Sequence, residues 1–194
     1  MPGDVWVVAG LGNPGPAYAA TRHNVGYLVV DELLARAGSS LRPDRSGRAL
    51  AAEGRLGDPG GPRAVLVRSR GYMNVSGGPV AAVLAYYKVQ HDRLIVVHDE
   101  LDIPFGELRV KLGGGDNGHN GLRSIRDALG DGEYYRVRVG IGRPPGRQDA
   151  ADYVLQPWDR TEQRDLDLNV RRAADSVESL AVAGLEQTQN LYNR

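Results

Sequence analysis

The chain contains no cysteine. That absence removes disulfides, thiolate-held metals and cysteine nucleophiles together, and it matches the reducing interior of a cell. No apolar stretch approaches the roughly 20 residues that a membrane span requires. The opening MPGDVWVVAG has no basic segment ahead of its apolar run, so neither an anchor nor a secretory leader is expected. An excess of one charge is missing as well: Lys+Arg and Asp+Glu each total 24. Net charge therefore argues neither for nor against a polyanionic partner, and only local distribution can speak. Lysine is almost absent, with Lys88 and Lys111 set against arginines everywhere else. Internal repeats and low-complexity segments are lacking too. What remains, 194 residues of which 41% are hydrophobic and 25% charged, describes one globular cytoplasmic domain with a sizeable core.

Hydrophobic periodicity predicts alternating strands and helices. Val5 to Gly10 reads as a buried strand, and Asn24 to Ala37 as a helix with Val25, Leu28, Val29 and Leu33 on one face, closed by Gly38. Strands follow at 48 to 56 and 63 to 68, around the turn GDPGGP, then a helix from Pro79 to Lys88 and a strand from Leu94 to His98. Residues 106 to 112 and 135 to 143 alternate with period two, separated by the loop GGGDNG and a helix from His119 to Leu129. Asp159, with Thr161 and Glu162 in the next turn, opens a long final helix to about Ala183. The expected fold is a single α/β domain, residues 1 to 194, with a mixed, mainly parallel twisted sheet between helices and a long C-terminal helix.

The stretch VVAGLGNPG carries G-x-G-x-x-G straight after a strand, as dinucleotide sites do. Pro14 and Pro16 flank the third glycine, which such sites place inside a helix, and the region about twenty residues further on is helical where a second strand is required. The loop serves another purpose. Polar groups gather at the strand-to-helix junctions: His23 and Asn24 after this loop, His98 and Asp99 at a strand end, His119 and Asn120 at a helix start. Taken singly, each is explained by a loop or cap, with Asn24 and Asn120 as N-caps. Together they are denser than capping requires. His91 reads as a surface residue.

A histidine with an aspartate at hydrogen-bond distance is suited to general-base work. No G-x-S-x-G occurs, and Ser76 lacks the glycine two positions before it, so water is the remaining nucleophile and hydrolysis the reaction. Asparagine amides would orient the water or carbonyl, and backbone N–H groups would receive the oxyanion. The rival is a metal centre on His98, Asp99, Glu100 and Asp102; there is no H-E-x-x-H, and neighbouring strand residues point to opposite faces. Arg109 with Lys111, and Arg136 with Arg138, share polar strand faces around Gly113, Gly114 and Gly115, with Arg123 and Arg126 on the following helix. A phosphate-bearing substrate and a solvated strand face both fit that pattern.

The segments GLGNPGPAYAATRHNVG, YMNVSG, HDELDIPFGELRVKLGGGDNGHNGL and RVRVGIGRP, in this order and spacing, resemble the bacterial-type peptidyl-tRNA hydrolases from about Val5 to Trp158. The resemblance implies a monomeric α/β enzyme, without metal or other cofactor, that cleaves the ester joining a stalled peptide to the 3′ ribose of tRNA. It implies His23 of T-R-H-N as base and Asp99 as its partner. It places Asn13, Asn74 and Asn120, with Tyr72 and Met73, on the peptide and CCA end, and Tyr18 near the tRNA terminus. Lys111 and Arg138 correspond to the pair on the 5′ phosphate of the acceptor stem. Ser69-Arg70-Gly71 departs from the family's usual proline and threonine before Y-M-N, which puts the backbone around Tyr72 and Met73 in question. In the GNPG turn the prolines would stiffen the chain and the glycines make room for substrate. A tRNA-binding module that kept the fold and lost the chemistry is the other class of function.

Overall fold

A computed structural model describes residues 4–194. Its strands and helices run β1 (Val5–Gly10), α1 (Val25–Ala37), β2 (Arg42–Pro43), β3 (Ala49–Arg55), β4 (Arg63–Ser69), α2 (Gly77–Tyr87) and β5 (Leu94–Glu100). They continue with β6 (Leu108–Leu112), α3 (Asn120–Leu129), β7 (Tyr135–Gly140), α4 (Ala150–Val154), α5 (Arg160–Ala183) and α6 (Leu185–Tyr192). The seven strands form one sheet in the order β2-β3-β4-β1-β5-β7-β6. β4, β1, β5 and β7 pair in parallel at its centre, while β3 and β6 pair antiparallel on the two sides.

The central strands are apolar because both their faces are covered. Every residue of β1 and β5 is buried. Val8, Leu66 and Val97 face α1 and α5, with Val29, Leu33 and Val177. On the opposite face Val7, Val65 and Val96 pack with Val83 of α2 and Ile125 of α3. The period-two pattern of β6 and β7 instead sets Leu108, Val110, Val137 and Val139 into the first core and leaves Arg109, Lys111, Arg136 and Arg138 on the other side.

The C-terminal region differs from expectation. Asp159 caps α5 through Glu162 in a reciprocal capping box, as its sequence indicates. The chain then breaks at Gly184 and forms α6, whose residues close an edge of the sheet. The Gln189 and Asn193 side-chain amides each donate to the Val110 carbonyl at 3.0 Å, and Asn193 Oδ1 accepts from Val110 N–H at 2.7 Å. These bonds occupy edge groups of β6 that would otherwise invite another strand. No helix among the described residues is long and apolar enough to cross a membrane.

Candidate active site

The site forms where β1 and β5 end, the place where open α/β sheets collect ligands. Gly10 and Gly26 let the start of α1 come down onto the strand ends: a Cβ at Gly10 would strike the Gly26 carbonyl, and one at Gly26 would strike the Val97 carbonyl and the Leu11 backbone. The turn after β1 is then stitched to the chain ahead of α1. Asn13 N–H donates to Asn24 Oδ1 at 2.8 Å, and Asn24 Nδ2 donates back to the Asn13 carbonyl at 2.9 Å. Asn24 therefore precedes α1 without capping it, because its amide is committed to the turn. Room for this pairing comes from Gly12, where a Cβ would lie 2.9 Å from the Tyr27 ring and 3.0 Å from Asn24 Cγ. Gly12 makes room for Asn24 and Tyr27, while Gly15 supplies a φ of 99° that lets the turn reverse.

His23 sits in the 3-10 turn Arg22–Asn24. Arg22 anchors that turn from behind, pairing with Glu162 at 3.2 Å and lying 4.1 Å from the centre of the Tyr153 ring. Asp99, at the end of β5, lies between two imidazoles. Its Oδ2 is 2.8 Å from His23 Nδ1 and its Oδ1 is 2.8 Å from His119 Nε2, with the two rings 4.9 Å apart. His119, rather than Asn120, is the N-cap of α3. Its Nδ1 accepts from Gly121 N–H at 3.1 Å and Leu122 N–H at 3.4 Å, which leaves Asn120 as an exposed first helical residue.

Those bonds determine the protons. Nδ1 of His119 is an acceptor, so its proton is on Nε2 and is donated to Asp99. The second carboxylate oxygen then accepts Nδ1–H of His23, whose Nε2 keeps its lone pair. Burial opposes charge on Asp99, yet the attraction and hydrogen bonds of His23 and His119 hold its carboxyl well below the usual carboxylate range. Burial also opposes protonation of His23, but the charge and hydrogen bond of Asp99 outweigh it and raise the imidazole above its ordinary 6.5. A cleft of about 150 Å³ opens beside this array, lined by His23, Asp99, Leu101, His119, Asn120 and Val154.

The turn after β4 reaches Asn13 through Met73. Asn13 Oδ1 accepts from Met73 N–H at 2.7 Å, which leaves the Asn13 NH₂ as the part of its amide without a partner among the described residues. Tyr72 opens the short turn Met73–Val75, and its exposed ring meets Tyr18 edge-on at 6.0 Å. Asn74 is exposed in the same turn, while Met73 is buried against the start of α3. The Ser69-Arg70-Gly71 departure leaves this backbone intact. Ser69 Oγ accepts from Gly71 N–H at 3.0 Å, and Tyr27 donates its hydroxyl to the Ser69 carbonyl at 2.8 Å. Ser76 is fully buried and donates to the Met73 carbonyl at 2.7 Å, so it is no nucleophile.

Lys111 and Arg138 do not line the cleft themselves and lie on neighbouring strands β6 and β7, next to Glu100, which does line it. Arg138 pairs with Glu100 at 2.9 Å, and Glu100 also accepts from Asn117 at 2.8 Å. Burial, followed by repulsion from Arg138 and Arg136, lowers the Lys111 ammonium below its ordinary value. The other basic residues behave differently from a solvated strand face. Arg136 is buried and donates to the carbonyls of Gly114, Gly115 and Gly132. The glycine loop thus turns two carbonyls toward an arginine, where its sequence had indicated backbone open to an anion. Arg123 and Arg126 both face Asp116, at 3.7 and 3.0 Å, and Arg109 faces Glu107 at 3.5 Å.

The donor run at 98 to 102 does not converge. His98 is fully buried, donates Nδ1–H to the Asp99 carbonyl at 2.8 Å, and is pushed down to about 3 by burial and by His119. Glu100 goes to Arg138, and Asp102 to Arg143 at 2.7 Å. His23, Asp99 and His119 do bring one ligand atom each within 4.8 Å of one another. Within that group the imidazole nitrogens nearest Asp99 carry protons that they donate to its carboxylate. His119 is the site residue least visible in the sequence; its only signal was the His-Asn pair shared with His23-Asn24.

Residues 7–194 match the family described as peptidyl-tRNA hydrolase. The peptidyl-tRNA hydrolase of Frankia casuarinae is 63% identical over 188 residues, covering 97% of this chain and 93% of the relative. That of Streptomyces coelicolor is 54% identical over 193 residues, covering 98% and 96%. The crystal structure of peptidyl-tRNA hydrolase from Acinetobacter baumannii superposes with a TM-score of 0.87 at 33% identity, covering 96% of this chain and 93% of that one.

Proposed function

The chain belongs to the peptidyl-tRNA hydrolase family, and we propose that it cleaves the ester between peptide and 3′ ribose with His23 as the base that activates water. The observation that carries this reading is the Asp99 carboxylate between two imidazoles, one of which is locked in place by α3. With Nδ1–H held by Asp99, Nε2 of His23 takes a proton from water as the oxygen attacks the ester carbonyl. The imidazolium so formed is stabilised by the adjacent carboxylate. The Asn13 NH₂, free because Met73 engages its oxygen, donates to the developing oxyanion. When the tetrahedral intermediate collapses, Nε2–H passes its proton to the departing 3′ oxygen. The products are a peptide acid and tRNA with a free 3′ hydroxyl.

In this reading Asn74, Asn120, Tyr72 and Met73 hold the peptide and CCA end, Tyr18 borders the tRNA terminus, and the enzyme works as a cytoplasmic monomer. No step of this reading uses a metal, because the ring nitrogens nearest Asp99 hold protons and His23 Nε2 serves as the base. A single-turnover assay on an N-blocked aminoacyl-tRNA after exhaustive chelation should keep its full rate. A loss restored by added metal would move the chemistry to a cation, and no turnover even before chelation would leave only a tRNA-binding module.

Lys111 and Arg138 are proposed to grip the 5′ phosphate. Burial, and then the charges of Arg138 and Arg136, depress the Lys111 ammonium, and a bound dianion would relieve the repulsion. Removing the 5′ phosphate should weaken wild-type binding but barely affect a Lys111→Ala, Arg138→Ala double mutant, whose contact is already gone. A double mutant as sensitive as wild type would return the pair to general electrostatics, seen only in the salt slope.

A further inference from the structure

A second cavity, of about 560 Å³, is lined in part by Asn13 and shares no lining residue with the catalytic cleft. That volume falls in the range of small-ligand sites. Its apolar lining comes from Pro16 on the turn, Leu28 on α1 and Leu50 on β3. A flat wall comes from Tyr27 and Arg68, the guanidinium lying 4.6 Å from the ring centre and paired with Asp31. Arg70, also part of the lining, is exposed. Its backbone N–H donates to the Arg48 carbonyl at 3.0 Å and one guanidinium nitrogen to the Gly47 carbonyl at 3.3 Å. No carboxylate among the described residues lies within 4.0 Å of that guanidinium. The hydrolytic machinery uses none of Leu28, Leu50 or Arg70.

We propose that this cavity is a nucleotide subsite. It receives the base of the nucleotide preceding the terminal one in the single-stranded 3′ end of tRNA, with the phosphate of that nucleotide on Arg70. The inference rests on the reading above, in which the terminal ribose ester lies at His23 and Asn13. Asn13 also lines the cavity, so the cavity adjoins the amide that this reading places at the ester. Of the two arms that leave the ester, the peptide differs from substrate to substrate, whereas the 3′ end of tRNA is constant. A preformed pocket with a fixed apolar floor suits the constant arm. Charge favours the same arm, because the unpaired guanidinium at Arg70 complements a phosphodiester and a typical peptide offers none. A Tyr–Arg wall is also the kind of surface on which a base stacks regardless of its hydrogen-bonding edge. Only Gly71 separates Arg70 from Tyr72 in the chain, and Tyr72 meets the Tyr18 ring edge-on at 6.0 Å.

The test uses a tRNA acceptor-stem minihelix ending in CCA, with and without an abasic nucleotide at the penultimate position. Wild-type protein should bind the abasic RNA about tenfold more weakly, the loss of one stacked base. Leu50→Trp fills the cavity and should bind the two RNAs alike. Should Leu50→Trp fail to fold, the exposed Arg70→Ala serves with a neutral methylphosphonate at the penultimate phosphate, which should weaken wild type and leave the variant unchanged. Wild type indifferent to the abasic site, or variants as sensitive as wild type, overturns the proposal. So does a change in KM that follows peptide length in Leu50→Trp while RNA binding stays unaltered, because the cavity would then serve the peptide. These binding measurements are independent of turnover. If His23→Ala remained active, the catalytic reading would fail whatever the RNA affinities.

Discussion

Replacing His23 by Ala should lower single-turnover hydrolysis of N-blocked aminoacyl-tRNA by about 10² to 10⁴-fold, the contribution of a positioned general base, while leaving tRNA affinity close to wild type. The reason lies in where the imidazole is used. Its Nδ1 is occupied by Asp99 and its ring lines a small cleft, so what is removed is the Nε2 lone pair rather than a contact on which the RNA depends. The fold should survive, because the 3-10 turn carrying His23 is held by Arg22 on Glu162 and by Asn24 on Asn13. The measurement is rate at saturating enzyme together with a dissociation constant for deacylated tRNA. Wild-type turnover in the variant would end the mechanism, and a matching collapse in binding would make His23 a ligand contact.

Asp99→Asn should be nearly as damaging, for a reason that the double hydrogen bond makes specific. The N–H groups of Gly121 and Leu122 keep His119 Nδ1 an acceptor, so His119 continues to present Nε2–H toward position 99. An amide there turns its oxygen to His119 and its NH₂ to His23. His23 must then accept at Nδ1, which moves its own proton to Nε2 and leaves no lone pair for water. The expected loss is again about 10² to 10⁴-fold in turnover, with little change in tRNA affinity. A loss under tenfold would mean that Asp99 does no more than orient the ring.

How much of this was legible in the chain depended on whether a residue's role is set locally. The long buried strands, the α5 capping box and the Gly38 termination follow from period and neighbouring residues, and they are where the sequence puts them. His23 and Asp99 stood out because unusual polar side chains cluster at strand ends, and the structure brings those two together, whereas Asn13 was marked only by the family resemblance. Arg136 did not stand out. Its alternation with Val137 marks it as facing away from one core, but nothing local says that the glycine loop folds over it and turns a surface cation into a buried clamp. The same limit hid Asn24, whose helix-start position suggests a cap while its amide serves a turn 11 residues earlier. It also hid α6, which exists to cover an edge strand lying 79 residues away in sequence.

The central claim is that His23 is a neutral base whose Nδ1 proton is fixed by Asp99. It is tested most directly by a ¹⁵N NMR titration of the histidine rings in the wild-type protein and in Asp99→Asn. Because the folded-state pKa of His23 is raised, its charged form should persist above the ordinary 6.5 as pH climbs, and the acid limb of kcat/KM should rise along the same curve. Above that limb, wild type should show Nδ1 protonated and Nε2 bare. Asp99→Asn should show the reverse tautomer and a His23 titration moved to lower pH. A wild-type ring protonated at Nε2 at the pH of full activity, or a rate profile that ignores the His23 titration, would contradict the account.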